Sequence, residues 1–105
     1  MKMCGLKNCD TCRRAYRALP EVEFVDVRAT PVPRDVLERA LAAFGEALVN
    51  RRSTTWRNID AAERDTPPLD LLGKHPALMK RPLIEDGDTL YLGWDSTVQS
   101  ALGVG

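Results

Sequence analysis

Lys2-Met3-Cys4-Gly5-Leu6-Lys7-Asn8-Cys9-Asp10-Thr11-Cys12-Arg13-Arg14-Ala15-Tyr16-Arg17-Ala18-Leu19 decides how this chain folds. Lys2 to Leu6 reads as a short strand, weakened by Gly5, which has no side chain to pack. Asn8-Cys9-Asp10 reads as a turn, and Asp10 or Thr11 is suited to cap the helix that follows. That helix is expected to run to about Leu19 and to stop at Pro20, which cannot continue the hydrogen-bond ladder. Ala15, Leu19 and the Tyr16 ring are assigned to its buried side, and Arg13, Arg14 and Arg17 to its wet side.

A strand, then Cys-x-x-Cys, then a helix is a pattern with a chemical use. The thiolate is the nucleophile, and a free thiol titrates near ~8.5. Unpaired N–H groups and the macrodipole at a helix N-terminus favour an anion there. Cys9 sits just before the helix, and Lys7, Arg13 and Arg14 add positive field, so its pKa is expected to be lowered. Cys12 follows at i+3, one turn on, where it can resolve a mixed disulfide on Cys9. Half of a zinc site is a competing reading; it needs two more ligands, and Cys4 and His75 are the candidates. Chance spacing of buried cysteines is another. Cys4 itself reads as a small core residue of the first strand.

Working outward, Val22-Glu23-Phe24-Val25-Asp26-Val27 is the second strand, with Phe24 and Asp26 on one face and Val25 and Val27 on the other. Pro31 and Pro33 mark a turn. Arg34 to Phe44 is an amphipathic helix whose Val36, Leu37, Ala40, Leu41 and Phe44 recur at helical spacing, stopped by Gly45. Short helical pieces are expected at Trp56–Glu63 and Leu69–Lys74. Leu83-Ile84-Glu85 and Thr89-Leu90-Tyr91-Leu92 flank Asp86-Gly87-Asp88, a hairpin signal. Asp95 to Leu102 closes the chain as a capped helix ending at Gly103. The order β-α-β, helices, β-β, α is that of an α/β thioredoxin or glutaredoxin fold, with a parallel first crossover.

The chain has 105 residues, which suits one domain over 1–105. Its 15 basic and 15 acidic side chains cancel, which argues against nucleic-acid and membrane-surface partners. No apolar run approaches the roughly 20 residues needed to span a bilayer. The N-terminus lacks the apolar core of a secretory signal, so a cytoplasmic protein is expected. Three cysteines, all within residues 4–12, do not make a secreted disulfide scaffold.

Three blocks resemble a known family: Gly5-Leu6-Lys7-Asn8-Cys9-Asp10-Thr11-Cys12-Arg13-Arg14-Ala15, Leu48-Val49-Asn50-Arg51-Arg52-Ser53-Thr54-Thr55-Trp56-Arg57 and His75-Pro76-Ala77-Leu78-Met79-Lys80-Arg81-Pro82-Leu83-Ile84. In order and spacing they resemble the arsenate reductase/Spx-like family, in particular its YffB-like members. The resemblance implies a thioredoxin-like core, a four-stranded mixed sheet, with a helical insertion over about residues 31–80. It makes Pro82 the family's cis-proline across from the active cysteine, and Arg81 the arginine that holds an oxyanion beside the nucleophile. Asn8 belongs to the same active loop and, with Arg81 and Pro82, is a candidate substrate or anion contact. Arg51 and Arg52 adjoin the place of a second oxyanion arginine, where this chain has Asn50. A third arginine would fall near Leu92-Gly93-Trp94-Asp95, and none occurs there.

The activity so implied is thiol–disulfide oxidoreduction with Cys9 as nucleophile, Cys12 resolving and Arg81 assisting. The substrate expected is a small anion or a thiol. No bound cofactor is expected; glutathione is the candidate co-substrate, and glutathione or glutaredoxin the candidate partner of a monomer. Arsenate reduction with glutathione and glutaredoxin is the first alternative, opposed by the missing arginines and the added Cys12. An Spx-like redox regulator that binds RNA polymerase is the second, opposed by the short stretch expected after the last helix. His75 and Asp10 are assigned helix-end and turn or cap roles, and Trp56 and Trp94 packing.

Overall fold

A computed structural model describes residues 1–19 and 21–104 and divides the chain into two compact units, Met1–Thr30 with Arg81–Gly105, and Pro31–Lys80. The stop assigned to Pro20 lies outside the described residues.

The first unit is built on strands β1 (Lys2–Gly5), β2 (Glu23–Asp26), β3 (Leu83–Asp86) and β4 (Thr89–Leu92). They form one sheet in the order β2-β1-β3-β4. β1 runs parallel to β2 and antiparallel to β3, and β3 and β4 form the hairpin. Gly87 supplies the positive φ, 59°, that the tight connection needs. Helix α1 (Asp10–Ala18) joins β1 to β2, and α5 (Ser96–Ala101) follows β4. This is the mixed four-stranded sheet of a thioredoxin-like fold.

The register explains which side chains meet. Met3 is paired with Phe24 and Ile84, and Ile84 with Tyr91, so these four share a face of the sheet. Against that face pack Ala15 and Leu19, together with Val22, Trp94 and Leu102. Met3 and Ile84 are fully buried, worth about 1.5–3 kcal/mol each in removed apolar surface. The other face carries Cys4, Val25, Leu83 and Leu92.

The second unit is helical: α2 (Arg34–Phe44), α3 (Thr54–Asn58) and α4 (Pro68–Lys74), with 3-10 turns at Gly45–Leu48, Glu63–Asp65 and Pro76–Leu78. The apolar stripe of α2 is buried at Val36, Leu37 and Ala40. Val49 and Met79 form an isolated antiparallel bridge, flanked by Asn50 N–H to Leu78 O at 2.7 Å and Lys80 N–H to Leu48 O at 2.8 Å.

Several local expectations are corrected. The piece assigned to Trp56–Glu63 begins earlier and ends earlier, because the Ser53 hydroxyl caps it by accepting from Trp56 N–H at 3.1 Å and Ile59 turns extended. Tyr16, assigned to the buried side of α1, is 49% exposed, with its ring edge-on to Phe24 at 5.8 Å between centroids. Ala15 takes the core-facing position next to it, and a residue one step around the helix cannot share that direction. Neither Asp10 nor Thr11 caps α1; both lie inside it, and Cys9 takes the N-cap place.

Candidate thiol site

The site grows from the end of β1. Leu6 leaves the strand, and its carbonyl accepts from the Cys9 N–H at 3.2 Å, which closes the turn. Cys9 is extended (φ −96°, ψ 119°), and its carbonyl accepts the first helical bond from Arg13 N–H at 3.0 Å. An N-cap side chain is aimed at the N–H groups of the first turn, and Cys12 is the third residue of α1. No oxygen-type cap bond forms, so a sulfur stands where serine or aspartate usually caps a helix.

The three thiols differ sharply. Partial burial pushes the Cys9 pKa up, but this is outweighed by the Cys12 N–H, a hydrogen bond from the Cys12 thiol, and the hydrogen bond and charge of the Arg81 guanidinium. The net direction is down. Cys12 has no exposed surface and is pushed up to about 12, first by burial and then by its bond to Cys9 and the Cys9 negative charge. Cys4 is raised to about 11 by burial and by Glu85. Of the two hydrogen-bonded thiols, Cys9 is therefore the one that ionises first and Cys12 the one that keeps its proton.

Gly5 makes room for this. A Cβ at that position would stand 2.6 Å from the Cys12 Sγ. The glycine that weakens the first strand thus makes the seat of the second thiol.

The positive field on Cys9 has a different source from the one the sequence suggests. Arg81 acts on it, whereas Arg13 is tied down, its Nε donating to Lys7 O at 2.8 Å and its Nη1 lying 3.6 Å from Asp10. Asp10 is exposed and opens α1. Arg81 precedes Pro82 across a cis bond, and Pro82 is buried just before β3. Pro82 O accepts from Gly93 N–H at 2.9 Å, which ties this turn to the end of β4. Asn8 is exposed in the turn before Cys9.

Within the first unit the structure thus brings Cys9, Cys12 and Arg81 together. Arg51 and Arg52 belong to the helical unit. There Asn50, Arg51, Arg52 and Lys80 line a cavity of about 400 Å³. Asn50 Oδ1 accepts from Arg52 N–H at 3.1 Å, and the Arg51 guanidinium lies over the Trp56 ring at 5.4 Å. Arg64 lies over the same ring at 5.2 Å, so two cations contact Trp56. Nothing in the sequence pattern singles out Arg64, because only folding brings it to Trp56. His75 Nε2 bonds Glu63 at 2.6 Å. Among the described residues no group of three or more His, Cys, Asp or Glu side chains is placed to hold a metal ion. Among the same residues no helix is long and apolar enough to cross a membrane.

The profile of the ArsC family matches residues 4–101. The chain belongs to the ArsC family. A Haemophilus influenzae relative is 40% identical, over 82% of this chain and 84% of its own. The global transcriptional regulator Spx of Streptococcus pyogenes serotype M3 is 28% identical, over 84% of this chain and 73% of its own. Among solved structures, the YFFB protein aligns with a TM-score of 0.85 at 29% identity, covering 95% of this chain and 96% of that one. This ArsC-family chain is therefore similar in sequence to a protein named as a transcriptional regulator and in fold to the YFFB protein.

Proposed function

We propose that this ArsC-family chain is a thiol–disulfide oxidoreductase in which Cys9 attacks and Cys12 resolves. The observation that carries the reading is geometric: the Cys12 thiol and the Arg81 guanidinium both hydrogen-bond the Cys9 sulfur, and Cys9 is the more acidic of the two thiols.

The Cys9 thiolate attacks one sulfur of a substrate disulfide. A Cys9–substrate disulfide forms, the substrate S–S bond breaks, and the other half leaves as a thiolate. Cys9 then no longer carries the negative charge that helped to hold the Cys12 proton. Cys12 loses that proton to water or the departing thiolate and attacks the Cys9 sulfur. The Cys9–Cys12 disulfide forms and the second thiolate leaves. Two protein thiols are oxidised and one disulfide is reduced; a thiol donor of the glutathione class returns the pair to its reduced form. Arg81 supports the thiolate and serves as a planar cationic donor for an anionic group of the substrate, with Asn8 and Pro82 flanking it. Arg51 and Arg52 are retained as candidate anion contacts of the helical unit.

Glutathione disulfide and intact mass test this. Wild type should end as an internal disulfide without adduct. Cys12→Ser should stop with one glutathionyl group on Cys9, and Cys9→Ser should carry none there. An adduct-free Cys12→Ser, or equal labelling of all three proteins, would remove the reading. A regulator is the second reading, favoured by the Spx relatives. Redox-dependent capture of the C-terminal domain of the RNA polymerase α polypeptide, with no disulfide turnover, would put it first. Arsenate-dependent turnover would restore the arsenate reductase reading against the missing arginines.

A further inference from the structure

A groove of about 430 Å³ runs along α1, with the buried Cys12 beneath its surface and Cys9 outside its lining. Lys7, Arg13 and Arg17 supply three cations to its lining, and Tyr16 and Phe24 supply two rings. Among the described residues no carboxylate lines it. Tyr16 is unusual: it is a large side chain left half exposed although α1 packs its neighbour Ala15 completely. Its ring stands edge-on to Phe24, which fixes its direction and presents a flat apolar surface to the groove. Arg13 is likewise held, through its bond to Lys7 O. Small-molecule sites are clefts of this size with apolar and aromatic walls and a few placed polar groups.

We propose that this groove selects the substrate of the neighbouring thiols, and that the class it takes is an aromatic disulfide bearing a carboxylate. The inference rests on the oxidoreductase reading given above. The ring of the ligand lies on Tyr16 and Phe24, and its anion meets Arg17 and Lys7. Cys9 is outside the groove lining, but Lys7 is two residues from it and Cys12, which is in the lining, is hydrogen-bonded to it, so a disulfide held at this end of the groove has only the Cys9–Cys12 contact to cross. The chemistry is unchanged: Cys9 takes one arylthio group with release of one arylthiolate, and Cys12 displaces the second. A site of this composition disfavours small neutral disulfides, which have neither the ring nor the charge.

The test compares three disulfides on wild type, Tyr16→Ala and Arg17→Gln by stopped-flow absorbance: 5,5′-dithiobis(2-nitrobenzoate), which is aromatic and anionic; 4,4′-dithiodipyridine, which is aromatic and neutral; and cystamine, which is aliphatic and cationic. Arg28→Gln removes an exposed cation outside the groove lining and is the charge control. Loss of a ring contact should slow the dinitrobenzoate reaction by about three- to tenfold in Tyr16→Ala. Arg17→Gln should slow it by about two- to fivefold, an effect that fades in high salt. Dipyridine should lose rate in Tyr16→Ala and keep it in Arg17→Gln, and cystamine should keep its rate in every variant. Equal slowing of all three reagents, or an Arg28→Gln effect as large as that of Arg17→Gln, would overturn the groove. A wild-type Cys9 that reacts with dipyridine no faster than free cysteine would instead overturn the oxidoreductase reading beneath it.

Discussion

At position 5 a hydrogen atom stands where any other residue would place a carbon against the Cys12 sulfur. Gly5→Ala should therefore destabilise the protein by about 1–3 kcal/mol, as overpacking does. In a Cys12→Ala background the same change should cost much less, since the sulfur it strikes is gone. Urea unfolding of the four proteins of that cycle measures the coupling, and additive effects would mean that Gly5 has another role. Sequence identifies both thiols and the direction of the Cys9 shift, because a Cys-x-x-Cys at a strand-to-helix turn carries its own electrostatics. It credits the field to Lys7, Arg13 and Arg14, which are near in sequence. The contact that matters comes from Arg81, which only the sheet pairing brings to Cys9. Gly5 reads as no more than a weak strand residue, because a missing side chain announces no partner.

Among the elements, those with strong local signals fall where periodicity puts them. α2 spans Arg34–Phe44 as its apolar spacing requires, and β3 and β4 flank Gly87 as the hairpin pattern requires. α5 begins after Asp95, whose carboxylate accepts from Val98 N–H at 2.9 Å. Asp95→Ala should lower stability by about 1 kcal/mol, while Asp95→Asn should keep most of it, since aspartate and asparagine caps can both accept that bond. Thermal unfolding checks this; equal losses would mean that charge rather than the cap holds the helix. The elements with weak signals differ from expectation. The α3 segment is five residues long, and a capping serine and an extended Ile59, rather than hydrophobic spacing, set its ends. Tyr16 departs for another reason: it stands about 100° around α1 from Ala15, at the border between the buried face and the arginines.

For the whole molecule, Cys9 at the β1–α1 turn and Arg81, two residues before β3, meet only when the four-stranded sheet is assembled. The acidity of Cys9 is thus a property of the fold. Because the folded pKa is lowered, the thiolate's contribution to stability is fully present above the ordinary cysteine pKa. It is lost as pH falls through the lowered value. Cys12 and Cys4 act oppositely: their raised values favour the folded state below the ordinary pKa, and that support is lost as pH rises toward about 11 to 12. The most direct test of an acidic, fold-made Cys9 is its iodoacetamide reaction rate against pH, read by peptide mass in native protein and again in denaturant. The native midpoint should lie well below that of an ordinary cysteine, return partly in Arg81→Gln, and return completely on unfolding. A native midpoint equal to the unfolded one would contradict it.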